Sequence, residues 1–141
     1  MIVLDTNVIS ELWRTAPTPS VLAWMDAQAV ETLYLSATTV AELRYGIAAM
    51  PPGQRRSVYQ ARLEAEVLPL FAGRILAFDL TASAAYAELM MRARTQGLGI
   101  AHADACIAAC TAAQSFAIAT RDASPFQAAG LTVINPWGEP F

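Results

Sequence analysis

The chain contains no lysine. That absence removes Schiff-base chemistry, a P-loop lysine and a lysine-stabilised aspartyl phosphate together. Cysteine occurs only as Cys106 and Cys110, four residues apart in one helical segment. That spacing suits neither a disulfide framework nor a zinc ribbon, and reduced core thiols are the simpler reading. Charge is also scarce: 15% of residues are charged against 55% hydrophobic, with a mean hydropathy of +0.38. A chain this apolar packs rather than staying disordered. Long apolar runs are missing too. The charge-free stretch Ala105 to Thr120 is interrupted by Thr111, Gln114 and Ser115 and falls short of the roughly 20 residues a membrane span needs. The opening Met1-Ile2-Val3-Leu4-Asp5 has no basic n-region and carries an acid where a signal peptide needs its apolar centre. A cytoplasmic protein with no membrane association is expected.

What is present fits one domain over residues 1–141, a length able to bury roughly 68–70% of its unfolded surface. Nine arginines against twelve acids give a net charge of −3 and a pI near 5.0. This balance argues against a broad basic patch for duplex nucleic acid, though not against a nucleic acid held through metal.

Short apolar runs alternate with longer helical patterns, which predicts an α/β fold with a central, mostly parallel sheet of about five strands flanked by helices. The predicted strands are 1–4, 32–35, 74–78, 116–119 and 131–134. Predicted helices include a short one through Ile9, Leu12 and Trp13, a second capped by Ser20, and a third starting at Thr38 or Thr39 and stopped by Pro51-Pro52-Gly53. A polar helical stretch follows from Gln54 to about Leu68. Thr81 is expected to cap a helix to Gln96, which Gly97-Leu98-Gly99 ends, followed by helices over 102–113 and around 125–128.

Four acids stand out against this apolar background. Asp5 follows the first strand, where open α/β sheets place their ligand crevice, and Thr6 and Asn7 could cap the next helix and orient its carboxylate. Glu42 lies in the opening turns of the helix after the second strand. Asp104 lies in the first turn of an alanine-rich helix, and Asp122 follows the fourth strand. Each has a plainer explanation: Asp5 as a helix cap, Asp104 and Glu42 as first-turn acids answering the helix dipole, Asp122 as a turn residue. Together, however, all four can converge at one edge of the sheet. Four carboxylates gathered without lysine repel one another and raise their pKa values unless a cation neutralises them. Oxygen-only ligands favour Mg²⁺ or Mn²⁺. Such ions orient and help deprotonate water and stabilise charge on a phosphodiester, which is nuclease chemistry.

Five strings occur in order: Ile2-Val3-Leu4-Asp5-Thr6-Asn7-Val8, Thr39-Val40-Ala41-Glu42-Leu43-Arg44-Tyr45-Gly46, Ala103-Asp104-Ala105-Cys106-Ile107-Ala108-Ala109, Ala119-Thr120-Arg121-Asp122 and Val133-Ile134-Asn135-Pro136-Trp137. In these the chain resembles the PIN-domain family, specifically the VapC-like and FitB-like toxins of type II toxin–antitoxin pairs. The resemblance implies a metal-dependent endoribonuclease silenced by a cognate antitoxin, with Asp5, Glu42, Asp104 and Asp122 as the acidic quartet. In that scheme Asp5 and Asp104 anchor Mg²⁺ (or Mn²⁺), and Glu42 and Asp122 complete the pocket directly or through water. Thr6, Asn7 and Thr120 supply supporting or phosphate hydrogen bonds. Arg121 and Arg44 either touch RNA phosphates or form salt bridges and solvated surface. Many relatives carry Thr-Arg-Asn and then a later acid before Phe, whereas here Pro125 fills that later position. Asp122 is therefore the only candidate for the fourth carboxylate.

His102, Cys106 and Cys110 form a helical stripe, but residue 104 lies roughly 200° around the helix from residue 102, so the stripe is expected to face away from the acids and pack. Trp13, Trp24 and Trp137 are read as core or interface. A haloacid-dehalogenase-type phosphatase is disfavoured because Asn7 stands where its second acid is wanted and its lysine is missing, and a receiver domain lacks the same lysine. The rival from another class is a catalytically silent binding module whose acids hold a structural cation. An apolar surface on so small a protein suggests a covering partner. The resemblance implies a homodimer, RNA as substrate, and an antitoxin whose C-terminal segment packs near the active site, with operator DNA reached only through that antitoxin.

Overall fold

The computed structural model describes residues 1–138; residues 139–141 of the expected domain lie outside the described residues. Five strands form one parallel sheet in the order β3-β2-β1-β4-β5: β1 (Ile2–Leu4), β2 (Leu33–Ser36), β3 (Ile75–Leu76), β4 (Ala117–Ala119) and β5 (Val133–Ile134). The predicted α/β architecture is therefore observed. The outer strands are shorter than predicted, since β3 and β5 are two-residue edges whose residues are only half buried.

Helices cover both faces, because successive residues of a strand point to opposite sides. Ile118 and Val133 pack with Leu89, Ile107 and Phe126 on one side. Their neighbours Ala119 and Ile134 pack with Leu4, Leu35, Leu43 and Phe71 on the other. The first group comes from α6 (Leu80–Thr95), α7 (His102–Ala113) and α8 (Ala123–Ala128); the second draws on α1 (Thr6–Leu12) and α3 (Ala37–Ala48). Between these lie α2 (Pro19–Asp26) and a long helix that begins as α4 (Gln54–Ala61), widens to π-helix over Arg62–Val67 and ends as α5 (Leu68–Leu70). Pro69 has no N–H to donate back into the helix, and the wide turn lies immediately before it.

Helix starts differ from the sequence reading in four places. Ser20 lies inside α2, which begins at Pro19, where a missing N–H costs nothing. Ser36, not Thr38 or Thr39, caps α3 by accepting from the Thr39 N–H at 3.1 Å. Asp79, not Thr81, caps α6 through the Ala82 N–H at 2.9 Å. In each case the true start lies closer to the preceding strand or turn than the first candidate chosen. The helix around Pro125 also begins earlier, at Ala123, since a first-turn proline gives up no helical bond. The end of α6 is as expected: Gly97 takes φ +71° and donates to Arg94 O, and Leu98 donates to Ala93 O, closing a Schellman motif.

The strand order reverses direction between β1 and β4, which creates a switch point. Open parallel sheets place ligands there, outside the carboxyl ends of the strands. Asp5 and Thr120 are the first residues beyond those two ends.

Candidate active site

Asp5 leaves β1 with its backbone N–H bonded to Ala119 O of β4 at 2.9 Å. Its side chain caps α1, accepting from Thr6 N at 2.8 Å, and so fills the plainer role weighed for it. It does more than cap. The other carboxylate oxygen accepts from Thr120 Oγ1 at 2.8 Å and lies 3.4 Å from Asn7 Nδ2. Asn7 also reaches Thr120 Oγ1 at 3.3 Å, and its own Oδ1 accepts from Arg121 N at 3.3 Å. Thr6 turns the opposite way, donating to Glu42 Oε1 at 2.6 Å with Thr39 Oγ1 3.2 Å away.

Asp5, Thr6, Asn7, Glu42, Asp104 and Arg121 line one cleft of about 480 Å³, and these bonds tie all of them but Asp104 together. Asp104 reaches it from the first turn of α7 and Glu42 from the second turn of α3. Asp122 does not line the cleft: it is the exposed residue preceding α8, tied by its N–H to Thr120 Oγ1 at 3.1 Å. Its charge still reaches Asp104.

Burial pushes the Asp5 carboxyl up to about 6, with repulsion from Asp104 and Glu42 adding to the rise despite the Thr120 and Thr6 hydrogen bonds. Burial likewise raises Asp104, assisted by Glu42 and Asp122. Among the described residues, the arginine salt bridges are Arg14–Glu11 and Arg44–Glu64, so none neutralises the four acids. Arg44 takes the salt-bridge alternative weighed for it: Nε and Nη2 each bond Glu64, at 2.8 and 3.0 Å. The resulting field of uncompensated negative charge calls for a cation.

A PIN-domain family model matches residues 2–131. The chain belongs to the PIN-domain family. Among curated relatives it is 65% identical to VapC ribonuclease Y4jK of Sinorhizobium fredii, with 97% of this chain and 98% of that protein aligned. It is 51% identical to toxin FitB of Neisseria gonorrhoeae over 97% of this chain and 99% of FitB. A solved structure of FitAB bound to an IR36 DNA fragment superposes with a TM-score of 0.96 at 48% identity, covering 100% of this chain and 99% of that one.

In this PIN domain the donor set around the cleft is oxygen only, as Mg²⁺ and Mn²⁺ prefer. Among the described residues, no three His, Cys, Asp or Glu side chains close into a ready-made cage. Magnesium is commonly held by one or two carboxylates with water completing its shell. Asp5 and Asp104, with Glu42 beside them, therefore fit such an ion.

Three cleft residues escaped the sequence reading: Ser10, Glu11 and Arg14. The signal was available, since Thr6, Ser10 and Arg14 recur every fourth residue, the spacing of one helix face, although α1 ends at Leu12 and Arg14 lies just beyond it. Trp137 was read as core or interface, and it does pack against the β1 side of the core. It also forms part of the cleft wall, with the Arg121 guanidinium 5.6 Å from its ring centre. Trp13 and Trp24 pack against the same core. The His102 stripe turns toward α6, where His102 Nδ1 lies 3.1 Å from Tyr86 Oη, and Cys110 is buried. Burial raises both thiols, Cys110 to about 11, as suits packed cysteines.

Proposed function

We propose that this PIN domain is a Mg²⁺- or Mn²⁺-dependent endoribonuclease and the toxin of a type II toxin–antitoxin pair. One observation carries the reading: Asp5, Glu42 and Asp104 meet in a single cleft at the β1/β4 switch point, and among the described residues no arginine forms a salt bridge with them. The 65% identity to a protein named as a VapC ribonuclease supports the substrate.

In this reading Asp5 and Asp104 hold the ion, Glu42 completes its surroundings directly or through water, and Asp122, outside the cleft lining, contributes through its charge on Asp104. A bound divalent ion supplies Lewis-acid stabilisation of phosphate oxygens and lowers the pKa of water. The protein's own groups do the rest. Thr120 and Thr6 fix the Asp5 and Glu42 carboxylates by hydrogen bonds, so little reorganisation accompanies ion binding. Asn7 braces Asp5 and Thr120 against each other. Arg121, seated against Trp137 at the cleft wall, offers donors to a phosphate of the RNA.

Partners follow from the same relatives. FitAB and VapBC are toxin–antitoxin complexes, and FitAB has been solved on DNA. We assign this chain a cognate antitoxin, operator DNA reached through that antitoxin, and a second copy of itself as homodimer partner. Beside the acidic cleft runs a groove of about 950 Å³ lined by Trp13, Leu43, Ile47, Met50 and Tyr59, an apolar seat for an antitoxin segment. Among the described residues no helix is long and apolar enough to cross a membrane.

The deciding experiment compares wild type with Asp5→Asn on RNA with Mg²⁺, with Mn²⁺ and with EDTA. Metal-dependent cleavage by wild type alone, from two equally folded proteins, supports the reading. Intact RNA under every condition favours the silent binding module, and full activity of Asp5→Asn overturns the role of that carboxylate.

A further inference from the structure

Arg14 belongs to neither the acidic set nor the core, yet it stands where the acidic cleft and the apolar groove meet, lining both. Its side chain is 60% exposed, but its position is not free. Nη1 lies 3.2 Å from Glu11 Oε2 and 3.4 Å from Oε1. Glu11 is 4% exposed and already fixed: its Oε1 accepts from Thr18 N at 2.9 Å and from Thr18 Oγ1 at 2.5 Å. The Thr18 hydrogen bonds, followed by Arg14 itself, hold the Glu11 carboxyl down at about 2, so it stays charged. A buried acid therefore serves as a post for a surface arginine.

The geometry leaves donors to spare. A guanidinium carries five N–H groups in a rigid fork, and only Nη1 is engaged by Glu11. Nε and Nη2 have no acceptor among the described residues. A planar fork with free donors, standing at the rim of a cleft lined by four carboxylates, suits a phosphate. Arg14 and Arg121 are the two basic residues lining that cleft.

We propose that Arg14, posted by Glu11, grips a backbone phosphate of the RNA strand next to the one being cleaved. The proposal rests on the ribonuclease reading above. Arg14 binds substrate by this contact, and Glu11 is a positioning residue that acts only through it.

The test measures cleavage of a random-sequence RNA oligonucleotide pool in Mn²⁺ by the full chain and three variants, over a series of salt concentrations. Arg14→Gln is expected to raise KM about tenfold with kcat nearly unchanged, and to flatten the dependence of log KM on log salt by about 0.7, the loss of one single-strand phosphate contact. Arg14→Lys, which keeps the charge and loses the fork, should recover the salt slope and part of the KM. Glu11→Gln should raise KM by a smaller factor while leaving the slope intact. If wild type cleaves and Arg14→Gln matches it in KM and slope, the proposal fails alone, as it also does if that variant loses only antitoxin binding. If wild type cleaves nothing, the ribonuclease reading fails and takes the proposal with it.

Discussion

Thr120 Oγ1 donates a 2.8 Å hydrogen bond to Asp5 Oδ2 across 115 residues of sequence. The same hydroxyl accepts from Asn7 Nδ2 and from the Asp122 N–H. A single, fully buried threonine thus links the end of β1, the start of α1 and the turn into α8. Removing the hydroxyl while keeping the shape isolates this role. Thr120→Val should destabilise the fold by about 1–3 kcal/mol, because a buried carboxylate loses a donor and two donors lose their acceptor. It should also raise the Asp5 carboxyl further, since this bond opposes the effect of burial. Urea denaturation measures the first effect, and carboxyl-carbon NMR titration of the metal-free protein measures the second.

Asp5 makes stability depend on pH in a direction opposite to most carboxylates. Its folded-state pKa of about 6 lies above the ordinary aspartate value of 3.8, so between those values the folded protein holds the extra proton. Stability of the metal-free protein should therefore fall as pH rises through that window, by up to about 3 kcal/mol, and then level off. Asp104, also raised, contributes with the same sign. Glu11 and Glu64 are lowered, so their contributions are lost only as pH falls below the ordinary glutamate range. Asp5→Asn should consequently be more stable than wild type at neutral pH in EDTA, with the advantage vanishing near pH 4. Thermal unfolding across that range checks it; equal Tm values at neutral pH would contradict the burial argument. Added Mn²⁺ should raise the wild-type Tm more at neutral than at acidic pH, because the ion needs the deprotonated carboxylate.

Much of this site was legible in the sequence, for a physical reason. In a chain with 15% charged residues, an acid directly after a strand stands out, and Asp5, Glu42 and Asp104 do meet in one cleft. Asp122 shows the limit, for proximity to a strand end did not bring it into the cleft lining. Arg44 shows another. Sequence spacing sets it two residues from Glu42, but its partner Glu64 lies on the π-helical turn after α4, a packing relation that no local pattern encodes. Helix starts are not fixed by local sequence where several Ser, Thr or Asp residues compete, because the choice depends on where the preceding strand stops. The sheet order was not derivable from periodicity at all; it arises from crossovers that pack helices on both faces.

Gly130 is a position where a glycine is required by geometry. Its φ is +84°, and a Cβ placed there would lie 1.8 Å from Arg92 Nη1, which bonds Ala129 O at 3.0 Å. Gly130→Ala should cost about 1–2 kcal/mol from the left-handed backbone, plus the displaced arginine bond. In an Arg92→Ala background only the backbone part should persist, so the double-mutant cycle should show a clear coupling. Cleavage kinetics should not change, since neither residue lines the cleft.

On the proposed reading, Thr6 separates holding the metal from holding Glu42. Its hydroxyl donates 2.6 Å to Glu42 Oε1, and Glu42 is otherwise exposed at the cleft rim. An exposed glutamate has many rotamers of similar energy, so without this bond it spends little time facing Asp5 and Asp104. Thr6→Val should leave Tm nearly unchanged, because the bond is solvent-accessible and exposed interactions contribute little to folding. It should nonetheless lower kcat about tenfold at saturating metal, a loss of the size seen when one supporting partner of a metal site is removed. Thr6→Ser keeps the hydroxyl and should restore most of the rate. Equal rates for the valine and serine variants would show that Glu42 needs no hydrogen-bonded anchor.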